Sequence, residues 1–286
     1  MENKNSLDLD LAIDFFENIL NILKDYKLIK NRFNLKNNNL EIDFDDPEWP
    51  SAIPPSLLCN LESEKDKLER AEGIIETFFT NEDSKLKILD FGCGEGHITF
   101  NLLKNNDRNV YGYDIKKHNN YYWETYKEFI TDNLDLIENK SPYDIIFLYD
   151  VIDHVENDLN TFKTITKLLK KDGKIIMRCH PWCSRHGGHL YHKINKAFIH
   201  LFLDDQSEVF CQKTIFPLAK YRDLIKNSNL EIINESIEKQ NVEDYFKQEK
   251  FKKIILKKWN RKENDEFPLF QLEQNFVDYV LKIKNS

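Results

Sequence analysis

The chain has 286 residues, of which 41% are hydrophobic and 31% charged, and it carries a net charge of −8. That length suffices to bury a full core, and the acidic balance excludes a protein that coats nucleic acid by bulk charge, though a local basic patch is compatible with it. No apolar run approaches a membrane span, the first residues are acidic rather than a basic-then-apolar leader, and five cysteines include no Cys-x-x-Cys pair, so free thiols in a reducing, cytoplasmic compartment are expected.

Residues 7–31 place Leu11, Phe15, Ile19, Ile22, Leu23 and Tyr26 at helical spacing, which predicts an amphipathic helix that needs something to pack against. The asparagines from Asn34 to Asn39 break that pattern. The stretch from Asp45 to Pro55 is punctuated by prolines and reads as a loop. A helix over 61–79 follows, with Leu68, Ile75 and Phe78 facing inward. From residue 86 strand and helix signals alternate, the pattern of a doubly wound, mostly parallel sheet covered on both faces.

The most informative stretch is 86–100. Ile88 and Leu89 form a short strand ending in Asp90, and Gly92, Gly94 and Gly96 make a turn that opens directly into a helix. Glycines there allow a tight turn and a closer ligand approach than any Cβ permits. A second strand, 109–113, ends in Asp114, twenty residues after Gly94, where a carboxylate accepts hydrogen bonds from a ribose diol. The dinucleotide fingerprint needs a small residue three positions after Gly94, and His97 stands there instead. Further on, 144–149 is a buried strand, 159–169 a helix, Asp172-Gly173 a turn and 174–177 a strand. A histidine-rich loop fills 179–192, followed by a helix over 217–226, a late strand at 230–233, a lysine-rich helix over 243–262 and an amphipathic helix over 270–283 through Phe276, Tyr279, Val280 and Ile283. There are no internal repeats.

The Asp-x-Gly-x-Gly-x-Gly run of Asp90 to Gly96 resembles the first motif of the class I S-adenosylmethionine (SAM) methyltransferases. The likeness extends over 61–238, including Ser141 to Val155, similar to the family's fourth-strand segment, and Leu169 to Ile176, similar to its turn into strand five. It implies a Rossmann-like α/β fold with SAM as cofactor. It also implies that Asp90, Gly92, Gly94 and Gly96 surround the methionine portion, that Asp114 holds the ribose, and that Asp132 and Asn133 lie near the adenine. The expected layout is a helical segment and linker over 1–60, the methyltransferase domain over 61–240 and a helical tail over 241–286.

Three further constellations carry chemistry. Asp150, Asp153 and His154 stand at i, i+3 and i+4 after the fourth strand, so on a helical turn they share one face. The similar Glu-x-x-Glu-His of small-RNA 2′-O-methyltransferases and ubiquinone-pathway O-methyltransferases implies a divalent cation, magnesium, manganese or zinc. This chain has the shorter Asp at both acidic positions, and the competing reading is a helix start whose carboxylates complement the dipole. In the loop, His180, Cys183, His186, His189 and His192, with Cys211 beyond, invite a zinc reading, yet Pro181 and Gly187-Gly188 break any regular helix. The favoured reading is a substrate loop with a glycine hinge or close backbone approach, Trp182 and Tyr191 as stacking surfaces, Arg178 and Arg185 as anion grips, and His180 as base. Finally, Lys247 to Lys262 holds eight basic residues against Glu249, with Phe251, Ile254, Ile255 and Trp259 on a buried face; a solvated face competes with nucleic-acid contact.

The expectation is methyl transfer from SAM to an oxygen of a small-molecule or RNA acceptor, with Asp150, Asp153, His154 and His180 assisting proton removal. The absence of an Asn/Asp-Pro-Pro-Tyr-like run after strand four argues against methylation of exocyclic base amines. The alternatives are an RNA cap or terminus methyltransferase, and a non-catalytic accessory subunit that binds a protein partner through its terminal helices.

Overall fold

The computed structural model describes residues 46–54, 63–80, 83, 85–105, 109–155, 158–191, 193–202, 218–258 and 269–284. The helix expected over 7–31 and the asparagine run lie outside these residues, as do His192, Cys211 and Trp259. No described helix is long and apolar enough to cross a membrane.

In chain order the elements are α1 (Glu64–Phe78), β1 (Ile88–Phe91), α2 (His97–Asn105), β2 (Val110–Tyr113), α3 (Tyr121–Thr125), β3 (Ile130–Thr131) and α4 (Leu134–Asn139). There follow β4 (Tyr143–Tyr149), α5 (Asp158–Leu168), β5 (Leu169–Cys179), α6 (Leu218–Asn227), β6 (Leu230–Lys239), α7 (Glu249–Lys258), α8 (Leu269–Leu272) and β7 (Gln274–Ile283). One seven-stranded sheet runs β3-β2-β1-β4-β5-β7-β6. The pairs among β1 to β5 are parallel, and β7 is antiparallel to both β5 and β6.

Alternation along the strands builds a core on each face of the sheet. Ile88, Ile145, Phe147 and Ile176 pack with Ile74 of α1 and Leu102 and Leu103 of α2. Leu89, Ile146, Leu148, Ile175 and Met177 point the other way and pack with Ile137, Ile165, Leu168, Tyr221 and Leu224 from α4, α5 and α6. The Asp172-Gly173 turn is a bulge within β5: Tyr143 pairs with Leu169, and the ladder resumes at Ile145 with Lys174.

A further core lies apart from the sheet. Trp49, Trp182, Leu190, Ile194, Phe198, Phe202, Phe246, Phe251, Ile255 and Leu272 form one buried cluster. It joins the strap 46–54, the loop after β5, α7 and α8 into a cap. Trp49 is its hub, with its indole N–H donating to the Ala197 carbonyl at 2.9 Å and edge-on contacts to Phe202, Phe246 and Phe251.

The C-terminal expectation is corrected. Residues 274–283 are a strand, not a helix, and fill the gap between β5 and β6. Phe276, Tyr279, Val280 and Ile283 do fall at helical spacing, but Val277, Tyr279 and Leu281 are 0% exposed, which is the period of a strand. Two waiting strand edges decide between the periods. The sheet thus takes a strand from beyond residue 240. The lysine-rich helix is shorter than expected: a 3-10 turn, Asp244–Lys247, precedes it, and extended backbone at Gln248 separates the two. Its apolar face is as read, with Phe251 and Ile255 both 1% exposed.

Leu281→Ala is expected to destabilise the chain by about 2–5 kcal/mol, because it leaves a cavity in the sheet core, whereas Lys282→Ala at the neighbouring position stays within about 0.5 kcal/mol. Urea unfolding followed by circular dichroism measures both; equal effects would remove the strand assignment.

Candidate functional site

The carboxyl ends of β1, β2 and β4 open into a cleft of about 700 Å³ lined by Gly92, Asp114, Ile115, Leu134, Asp150, Val151 and His154, among others. Gly92, Gly94 and Gly96 all have positive φ, at +81°, +52° and +93°. Side chains at Gly92 and Gly96 would run into Val151 and Ile130, while a Cβ at Gly94 would meet nothing, which leaves Gly94 as the open point of the turn. Asp114 is held by backbone donors: its Oδ2 accepts from Gly94 N at 2.9 Å and its Oδ1 from Lys116 N at 3.0 Å. Its remaining lone pairs suit a diol. The cleft and this fixed carboxylate fit a nucleoside-bearing cofactor.

Two expected cofactor residues have partners within the fold. Asp90 is 2% exposed and receives the Thr99 hydroxyl at 2.6 Å. Burial, with Asp114 nearby, pushes its carboxyl up to about 7. Asn133 caps α4, accepting from Asp135 N at 2.9 Å, and neither Asn133 nor Asp132 is among the residues lining the cleft, whereas Leu134 is. Short polar residues before a helix are favoured for capping, and Asn133 fills that role here.

Two residues missed in the sequence complete the cleft. Ile115, directly after Asp114, is 87% exposed and lines it, an apolar side chain that presents a surface to a flat ring. On the far side of the glycine turn, a smaller cavity of about 240 Å³ is lined by Lys67, Arg70, Cys93, Glu95, His97 and Tyr149. Arg70 lies across the Tyr149 ring and reaches to 3.9 Å from Asp150, so it stands between the two spaces. On an amphipathic helix an arginine carries no sign of this duty, whereas Ile115 had one in its place after Asp114.

The acidic and histidine residues form two groups rather than the expected trio. Asp150 ends β4 with φ of 55°, a strained conformation for a residue with a Cβ. Its partner is His180, with Nε2 at 3.4 Å from Asp150 Oδ1 and Nδ1 at 3.1 Å from the Asn275 carbonyl. Burial opposes charge on both, but their mutual attraction outweighs it, raising the pKa of His180 and lowering that of Asp150. The structure therefore places His180, expected as the base, with both nitrogens engaged, one by Asp150 and one by the Asn275 carbonyl.

The second group is Asp153, His154 and His189, whose ligand atoms all lie within 4.8 Å of one another. The residues Ile152–His154 form a 3-10 turn, which swings Asp153 and His154 away from Asp150 and toward the loop. Asp153 is 0% exposed and neither of its carboxylate oxygens accepts a hydrogen bond. His189 Nε2 lies 3.4 Å and His154 Nε2 3.8 Å from its Oδ2. A buried carboxylate without donors is costly unless paired or bound to a metal.

Of the two readings of the loop glycines, hinge or close backbone approach, the packing supports the second. A Cβ at Gly187 would strike the backbone of Trp182, and one at Gly188 the side chain of His200, so this glycine pair serves close packing. Trp182 is 6% exposed, inside the cap core and against His200, not a free stacking surface. Arg178 is spent in two bonds to Asp278, at 2.6 and 2.7 Å. Arg185 is spent on Glu243 and the Ser51 and Ala52 carbonyls. Cys183 is buried, facing Gln271, apart from the His154–His189 group. Burial, then His180 and His189, push His186 down to about 3.

The model of a methyltransferase domain matches residues 64–235. A tRNA U34 carboxymethyltransferase of Helicobacter acinonychis is 26% identical over 143 residues, which are 46% of this chain and 47% of that one. A ubiquinone biosynthesis O-methyltransferase of Rickettsia typhi is 32% identical over 117 residues, 38% of this chain and 47% of its own length. The chain thus spans about half the length of the curated relatives it matches. Among solved structures, an O-methyltransferase from a trans-AT PKS multienzyme of Brevibacillus brevis superposes with a TM-score of 0.46 at 16% identity, covering 82% of each chain.

Two outcomes are expected. Asp114→Asn should weaken S-adenosylhomocysteine (SAH) binding roughly ten- to a hundredfold by calorimetry, since a charge-assisted bond contributes on the order of 1.5–3 kcal/mol. Asp90→Asn should change how stability depends on pH. The folded chain binds one proton more than the unfolded one between the ordinary Asp value of 3.8 and about 7, so this group lowers stability as pH rises through that window. The advantage of the variant over the wild type should grow across that window and level off above it; a constant difference in denaturant midpoints would refute the assignment.

Proposed function

From the premise that the chain belongs to the methyltransferase-domain family of SAM-dependent enzymes, we propose that it transfers a methyl group to an oxygen nucleophile with the help of a divalent cation. The observation that carries the finer part is Asp153, fully buried, without a hydrogen bond, and facing the imidazoles of His154 and His189 beside the cleft. One carboxylate with two imidazoles suits zinc, manganese or magnesium with open positions for an acceptor oxygen. Asp150, expected among the ligands, is assigned outside the set.

SAM supplies an electrophilic methyl on a sulfonium, and the cation would supply Lewis acidity toward an acceptor hydroxyl. The chain's own residues do the rest. The glycine turn and Asp114 fix the nucleoside end, Ile115 offers an apolar face to the base, and Arg70 stands at the other end, where Lys67 is paired with Glu95 at 2.7 Å. Asp150 lines the cleft and is the group placed to take the acceptor proton. His180 and Arg70 keep its pKa low. A base that weak accepts a proton only from an acidified hydroxyl, and this requirement is why the cation and Asp150 belong to one mechanism.

An RNA acceptor is the second reading. It is supported by the exposed Lys247, Lys250 and Lys253 on the cap and by the relative that acts on tRNA. A phosphate-dependent mode predicts affinity that falls steeply with salt.

Titration with Mn²⁺ should show one site, abolished by Asp153→Ala and weakened at least about tenfold by His189→Ala, with SAH affinity retained. Methyl transfer to a phenol or an RNA hydroxyl, scored as SAH release, should stop with EDTA and return with Mn²⁺ or Zn²⁺. Full transfer by exhaustively chelated, metal-free protein would end the cation reading and leave Asp153 a structural carboxylate.

A further inference from the structure

The polar and aromatic run from Asn119 to Trp123 follows Asp114 and leads into α3, and its side chains reach the glycine turn. The Asn120 amide makes two bonds there. Its Oδ1 accepts from Trp123 N at 3.1 Å and so caps α3, while its Nδ2 donates to the Glu95 carbonyl at 2.9 Å. The Trp123 indole N–H donates to the Gly94 carbonyl, also at 2.9 Å. A third contact is steric: a Cβ at Gly96 would stand 3.0 Å from Ile130 and 3.3 Å from Tyr122. Gly94, Glu95 and Gly96 therefore each meet α3 or its cap.

These contacts complete a grip begun by Asp114. Gly94 N donates to Asp114 Oδ2 at 2.9 Å, so the peptide units on both sides of Gly94 are fixed, one by Asp114 and one by Trp123. Gly94 itself stands in the open, with φ of +52° and nothing within 4 Å of where a Cβ would be. A glycine in open space has no side-chain packing to hold such a conformation, and many others are accessible to it. Its order has to come from its bonded neighbours. Those neighbours are themselves well fixed. Trp123 is 2% exposed and packs with Tyr122 and Ile130, and the Asn120 side chain is set by the cap.

We propose that Asn120 and Trp123 are positioning residues for the cofactor, which hold the turn from Gly94 to Gly96 in its binding conformation before SAM arrives. The proposal rests on the SAM-dependent reading of the cleft and adds to it the segment that sets cofactor affinity. Neither residue is among those lining the cleft or the smaller cavity beyond the turn, so each acts through the turn. A site that is formed only part of the time has its apparent dissociation constant raised by the inverse of that fraction. Loss of either bond thus slows association, because fewer molecules are competent at encounter. Dissociation stays as it was, since the bound cofactor itself then holds the turn.

Asn120→Asp separates this role from helix capping. Aspartate caps a helix as well as asparagine does, but it offers the Glu95 carbonyl an acceptor in place of a donor. Trp123→Phe keeps a ring in the apolar cluster and removes the N–H. SAH flowed over the immobilised full chain, read by surface plasmon resonance, should associate about three- to tenfold more slowly with each variant, as one lost hydrogen bond predicts. Dissociation rates should match the wild type. Asn119→Asp, which adds the same charge at the exposed neighbouring position, should change neither rate.

Wild-type association in both variants overturns the proposal. So does faster dissociation with unchanged association, which marks direct contact with the ligand, and so does an equal slowing in Asn119→Asp, which assigns the effect to charge. A wild type that binds no SAH overturns the SAM reading of the cleft, and the proposal with it.

Discussion

The pairing of β5 with β7 is the constraint on which the site depends. Its register sets Arg178 opposite Asp278 and Cys179 opposite Val277. The first pair is clamped by two charge-assisted bonds, and the guanidinium also lies 3.5 Å above the Phe276 ring. Beyond the last paired residues, the Asn275 carbonyl meets His180, and His180 meets Asp150 at the end of β4. A slip of one residue would turn every side chain of β7 to the opposite face and remove the carbonyl that aims His180. A C-terminal strand thus places a carboxylate more than a hundred residues away in sequence.

Much of the cofactor half was legible in the sequence. The glycine turn, Asp114 and the alternation of strands and helices follow from local rules, in which a positive φ calls for glycine and a buried strand for an unbroken apolar run. Asn133 shows an ambiguity of local rules, because a polar residue before a helix reads equally well as a ligand grip and as a cap, and Asn133 is a cap. The terminal strand misled because Tyr279 serves both periods, and only partners distant in sequence choose between them. Arg70 could not have been found by any local rule, since its duty exists only once α1 is packed beside the glycine turn.

The histidines show the same limit from the other side. Their recurrence in 180–192 has no regular helix behind it, and the loop divides the described ones by task. His180 supports Asp150, His189 joins Asp153 and His154, and His186 packs against the His180 ring. The division arises from tight backbone packing at Gly187 and Gly188, and from positive φ at His189, which sends successive side chains in different directions.

Two cores, one under the sheet helices and one in the cap, explain why so polar a centre can be dry. Cys179, Asp153 and His180 lie where the two meet, at 0%, 0% and 8% exposure. A low dielectric strengthens each charge interaction there and raises the cost of each one left unmatched. Asp150 has the His180 imidazole at 3.4 Å and Arg70 at 3.9 Å, Asp153 has two imidazoles at 3.4 and 3.8 Å, and both keep a buried carboxylate oxygen without a hydrogen bond. This unmet polarity sits next to the cofactor cleft, where strain and unmet polarity concentrate in working sites. A cap that was rigid from packing alone would have favoured an apolar residue at position 153. The carboxylate there, among imidazoles, is the feature on which the proposed cation site rests.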